Sequence, residues 1–136
     1  MGTNVKHRES YDLDAISHAV PIPFGTRVGN MLFSSGIMGM DRMSGSLPTD
    51  LETQVHHSFL NMRALLEKAG GTLDDVAHVR VLVRLEEYRG AVNAEWVKAF
   101  PDPKSRPARH TEVSALRGDM LIQLEMVAVL KCQSTT

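Results

Sequence analysis

The chain has 136 residues, 43% of them hydrophobic and 23% charged, which fits one globular domain rather than a disordered or fibrous chain. Its 15 basic and 16 acidic residues leave a net charge of −1, so there is no electrostatic footprint for nucleic acid. A single cysteine, Cys132, excludes an intrachain disulfide or a multi-cysteine metal site, and neither a membrane span nor a secretory signal is visible, so the expected location is the cytoplasm, away from membranes.

Residues 1–15 are polar and aperiodic and predict a loosely held arm. From Ile16 to Gly29, β-formers mixed with Pro21, Pro23 and Gly25 predict a strand broken by a loop, and Gly29-Asn30 turns the chain into a strand over Met31 to Ser35. Gly36, Gly39, Gly45 and Pro48 mark a loop, after which Thr49 and Glu52 form a capping-box signature. Leu51, Val55, Phe59, Met62, Leu66 and Ala69 then follow at helical spacing, and Gly70-Gly71 stops the helix. His56 and His57 in this helix are adjacent and point about 100° apart, so they do not form a ligand pair.

His78 to Leu85 alternates as a strand, and a second helix is predicted from Glu86 to Phe100 with Tyr88, Val92, Trp96 and Phe100 as core anchors. A strand from Arg109 to Leu116, a turn at Arg117-Gly118-Asp119 and a long strand from Leu121 to Lys131 complete the order β-β-α-β-α-β-β. The expected organisation is one domain over residues 16–132 with the arm before it and a tail over 133–136.

The last strand is apolar on both sides. Ile122, Leu124, Met126, Ala128 and Leu130 make one face, and Leu121, Val127 and Val129 interrupt the polar residues Gln123 and Glu125 on the other. Two helices cover one side of a small sheet, so a second copy of the chain is the economical cover for the other, with Gln123, Glu125, Arg80 and Arg84 lining or flanking the junction. The alternative is a face left solvated.

P-loop, GxGxxG, HExxH, GxSxG and CxxC patterns are all absent, and no histidine pairs with acids at metal-site spacing, so neither a metal nor a cofactor is expected. Arg109 follows Pro107-Ala108 at the mouth of a strand expected to be mostly buried. A buried guanidinium needs a counter-charge, which is either a protein carboxylate, from Glu112, Glu125 or a neighbouring subunit, or a ligand carboxylate. Strand alternation puts Thr111 and Val113 on the side of Arg109, and His110 and Glu112 on the other.

With these residues in view, the sequence resembles the RidA/YjgF family of reactive-intermediate deaminases over about Pro21 to Leu130. The resemblance rests on VGNMLFSSG, DLETQVHHSFLNMRALLEKAGGTLDDV, VNAEW, RPAR and the closing LEMVAV. It implies a chorismate-mutase-like α+β fold, a mixed sheet with two helices on one face, and a homotrimer whose sheets form a central barrel with sites in the clefts between subunits. It also implies hydrolysis of enamines and imines to 2-oxo acids and ammonia. Arg109 matches the arginine that grips the substrate carboxylate, Ser35 the serine before the glycine of the second strand, Gly36 the glycine after that serine, and Asn93 the asparagine of the second helix, while Thr111 falls where a hydrogen-bonding residue is common.

The departures matter as much. Gln123 stands where deaminating members place a glutamate, and an amide positions a water but cannot act as its base. Ile37 replaces a glutamine, and Phe24 or Ile22 stands where a tyrosine would donate its hydroxyl, so the expected pocket is more apolar. The leading expectation is a RidA-like hydrolase acting on a small carboxylated imine or enamine, with Arg109 and Gln123 at the reacting centre and Ser35, Gly36, Ile37, Phe24, Asn93 and Thr111 contacting substrate. The competing one is a carboxylate-binding trimer without catalysis. Ribonuclease or translation-inhibitor roles, often attached to relatives, fit the near-neutral charge least.

Overall fold

The computed structural model describes residues 6–13 and 20–131. Expectations that fall on residues 1–5, 14–19 and 132–136, including the start of the first predicted strand at Ile16, Cys132 and the tail, lie outside the described residues.

The strands are β1 (Arg8–Tyr11), β2 (Gly25–Val28), β3 (Met31–Ser34), β4 (Ile37–Met38), β5 (Val76–Val83), β6 (Ala108–Val113) and β7 (Ile122–Val129), and the helices α1 (Leu51–Lys68) and α2 (Arg89–Ala99). One mixed sheet runs β1-β2-β3-β7-β5-β6, with β4 pairing β7 beyond the end of β3. β5 and β6 are parallel because α2 carries the chain back between them, and the other pairs are antiparallel. Gly29, at φ 61, supplies the left-handed residue that closes the turn from β2 to β3.

The alternation read from the sequence sorts the sheet into two faces. Val79, Val81 and Val83 of β5 and Ile122, Leu124, Met126 and Ala128 of β7 are buried in the same core as Val55, Phe59, Met62, Leu65 and Leu66 of α1 and Val92 and Trp96 of α2. The opposite face is half open. Phe33 pairs with Val127 and Met31 with Val129, and three of these four, Met31, Phe33 and Val129, are exposed.

Several local expectations are corrected. Within the stretch expected to be a loose arm, Arg8–Tyr11 forms the edge strand β1, tied to β2 by its ladder and by the Arg27–Glu9 ion pair at 3.6 Å. Strand β4 sits in the segment that its glycines marked as loop. It lies tight against α1, since a Cβ on Gly39 would fall 2.1 Å from the Gln54 carbonyl oxygen. The cap of α1 is Asp50, not the Thr49–Glu52 box: Asp50 has extended backbone and accepts from the Thr53 N–H at 3.0 Å and the Thr53 hydroxyl at 2.7 Å. A 3-10 turn over Glu86–Tyr88 delays α2 to Arg89. β6 ends at Val113, because the Leu116 N–H turns back to the Ser114 carbonyl. Among the described residues no helix is long and apolar enough to cross a membrane.

Candidate functional site

Arg109 lies on edge strand β6, on the helix side of the sheet, because it pairs with the buried Val79. Its Nε donates to the Thr111 hydroxyl at 2.9 Å, two residues along the same strand, and its Nη2 to the Asn93 Oδ1 of α2 at 2.6 Å. Its guanidinium carbon lies 5.0 Å from the centre of the Trp96 ring, within cation–π range. Trp96 packs in turn on Phe100, with centroids 4.7 Å apart. Asn93 and Trp96 are three apart on α2, so one helix face both holds and backs the guanidinium.

No carboxylate among the described residues reaches Arg109. The two acids considered as its partners, Glu112 and Glu125, belong to Arg80 instead, at 2.7 Å and 3.4 Å. The reason is the pleat: Arg80 pairs with His110 and Glu125, and Glu112 with Leu82, all on the face opposite Arg109. Burial first, and the like charge of Arg89 second, push the Arg109 guanidinium below its ordinary value. An arginine stays charged at neutral pH, and this one is half-buried and held by neutral groups.

Gln123 occupies the other face. It pairs with Leu82 on β5 and Met38 on β4, and a Cβ on Gly36 would fall 2.7 Å from its side-chain amide. Gly36 therefore leaves room for that amide, which has no hydrogen-bond partner among the described residues and is half-exposed. Ser35 is anchored next to it: its N–H donates to the Phe24 carbonyl at 2.9 Å and its hydroxyl to the Pro23 carbonyl at 2.8 Å.

The structure thus brings Arg109, Asn93 and Thr111 together, and separately Ser35, Gly36 and Gln123, but not the two sets. β5 lies between their strands and they face opposite ways. Phe24 and Ile37, expected to line the pocket, are both fully buried in the helix-side core, because Ile37 pairs with the inward Leu124 and not with Gln123. Met38, the next residue, is the neighbour of Gln123, and Ile22, not Phe24, is exposed. Arg84, expected to flank a junction, is committed within the chain to the carbonyls of Leu116, Gly118 and Met120. A cleft of about 620 Å³ bordered by Arg63, Glu67, Leu73, Asp74 and Lys98 contains none of the expected site residues.

Sequence reading missed the stacking role of Trp96 and the proximity of Arg89. Its guanidinium donates to the Thr111 carbonyl at 3.3 Å. The spacing Arg89, Asn93, Trp96 of four and then three residues was the available signal, one helix stripe aimed at β6.

The model of the family described as endoribonuclease L-PSP matches residues 14–130. A RutC family protein of Haemophilus influenzae is 34% identical over 107 residues, covering 76% of this chain and 82% of that protein. The 2-iminobutanoate/2-iminopropanoate deaminase of Escherichia coli is 32% identical over 111 residues, covering 80% of this chain and 87% of the enzyme. Among solved structures, the YjgF gene product of Escherichia coli superposes with a TM-score of 0.81 at 28% identity, covering 89% of this chain and 98% of that one. With an α+β fold of one mixed sheet and two helices, and with these matches across most of its length, the chain belongs to the RidA/YjgF family, the family that the endoribonuclease L-PSP model describes.

Proposed function

We propose that this protein is a cytoplasmic hydrolase of small carboxylated imines and enamines whose site forms between copies of the chain. The observation that carries this reading is the state of Arg109: a half-buried guanidinium fixed by Asn93, Thr111 and Trp96, with no carboxylate of its own among the described residues. A substrate carboxylate is the natural counter-charge, and a planar guanidinium grips it through two parallel hydrogen bonds.

The second half of the site comes from another copy. Gln123 faces away from Arg109, on the same sheet face as the exposed apolar residues Phe33, Met31 and Val129 farther along, a surface that a symmetric neighbour would cover. A closed trimer with its sheets around a central barrel satisfies both needs, bringing the Gln123 face of one copy to the Arg109 edge of the next.

In that cleft the chemistry is modest. Water adds to the C=N carbon, the nitrogen takes a proton, the C–N bond breaks, and ammonia leaves a 2-oxo acid; an enamine first takes a proton at carbon to become the imine. No electrons change hands, and no cofactor is called for. The Gln123 amide orients the water without taking its proton, so proximity and the fixed carboxylate supply most of the acceleration.

The test is a coupled assay in which a pyridoxal-phosphate dehydratase releases 2-iminopropanoate or 2-iminobutanoate and 2-oxo acid formation is followed. Wild type is expected to accelerate release and Arg109→Ala to abolish the gain. A second reading, a carboxylate-binding trimer without catalysis, is favoured by the amide at position 123. It predicts 2-oxo acid binding with no acceleration, and activity appearing on Gln123→Glu.

A further inference from the structure

Arg89 opens α2, one turn before Asn93 and two before Trp96, on the helix stripe that meets Arg109. Thr111 joins the two arginines: its carbonyl accepts from Arg89 Nη2 at 3.3 Å and its hydroxyl from Arg109 Nε at 2.9 Å. Two guanidiniums on one residue repel, and among the described residues the one carboxylate paired with either is Glu86, which meets Arg89 from three residues earlier. The Glu86 side chain is 68% exposed. The pair is two-pronged, Nε to Oε1 at 2.5 Å and Nη2 to Oε2 at 3.4 Å, but it lies in solvent, where another carboxylate can compete for the guanidinium. The β6 edge therefore holds one cation without a carboxylate among the described residues and a second whose carboxylate is open to solvent.

We propose that Arg89 selects substrates with a second carboxylate. Arg109 takes the carboxylate beside the C=N carbon, and Arg89 releases Glu86 to take the distal one, so the preferred class is the imines of short 2-oxo dicarboxylates. This rests on Arg109 as the carboxylate anchor. Arg89 takes no part in bond making or breaking and acts on specificity alone. Enzymes that oxidise acidic amino acids release imines of this class, and such a reaction would have to supply the substrate.

Calorimetry on the full chain with 2-oxoglutarate and 2-oxobutanoate reads recognition without needing turnover. Wild type is expected to bind the dicarboxylate about tenfold tighter, the worth of one charge-assisted contact. Arg89→Met is expected to bring that ratio to about one, Arg89→Lys to restore part of it, and Arg109→Ala to weaken both acids. A structural role for Arg89 would weaken both acids alike and leave the ratio standing. Equal affinities in wild type, or a preference that survives Arg89→Met, overturn the role of Arg89 while leaving the Arg109 anchor intact. Failure to bind either acid overturns the anchor, and this inference with it.

Discussion

Arg109 pairs with Val79 and Gln123 pairs with Leu82, three residues apart on β5, so the two side chains leave one sheet on opposite faces. Two strand spacings, roughly 9–10 Å, also separate them within the sheet. On the proposed function, one copy of the chain presents two half-sites.

Half-sites on different copies should complement. Arg109→Ala and Gln123→Ala are each expected to lose at least tenfold in imine hydrolysis, a loss typical of a positioning contact. Refolded together as mixed trimers, they should regain activity at roughly a quarter of the sites, those that pair an intact Arg109 edge with an intact Gln123 face. Mixing that restores nothing would place the site within one copy.

The glycines around β4 separate function from stability. Gly36→Ala sets a Cβ 2.7 Å from the end of the Gln123 side chain, which can swing aside. Its thermal midpoint should move little while kcat/KM falls. Gly39→Ala sets a Cβ 2.1 Å from the backbone oxygen of Gln54, which cannot yield without moving α1. Denaturant titration should show a loss of about 3 kcal/mol.

Gln54 is fully buried and ties three segments together. Its amide donates to the Pro48 carbonyl at 2.7 Å and the Asp119 carbonyl at 3.0 Å, and its Oε1 accepts from the Leu121 N–H at 2.8 Å. Leu121 directly precedes β7, so this side chain helps set where Gln123 begins its row. Gln54→Leu leaves those backbone groups without partners and should cost about 3 kcal/mol or more in equilibrium unfolding.

Asp50 links helix capping to pH. Hydrogen bonds from Thr53, the hydroxyl first and the backbone N–H second, hold its carboxyl below the ordinary aspartate range. A carboxylate lowered on folding stabilises fully above its unfolded value, and that contribution disappears as pH falls through the folded value. Acid unfolding of wild type should therefore be steeper than that of Asp50→Asn, which keeps a capping oxygen but has no proton to gain. Parallel acid curves for the two proteins would remove Asp50 as a contributor.

The sequence by itself determined the periodic elements and the chemistry of individual positions. The α1 stripe, the alternation of β5 and β7, the pairing of Thr111 with Arg109 on one face and the family are all properties of local spacing or of ordered motifs, which a linear pattern carries. Tertiary structure decided what local pattern cannot encode. Only the register of β4 on β7 shows that Ile37 turns into the core and Met38 lies beside Gln123. Strand β1 was hidden because an edge strand with one paired side carries little hydrophobic signal, and α2 begins late because the turn ahead of it is set by packing. The choice of partner for Arg109 depended on the pleat: Glu112 is three residues away in sequence but on the far face of β6, where Arg80 claims it, and the neutral cradle of Asn93 and Trp96 arrives from a helix folded back over the strand.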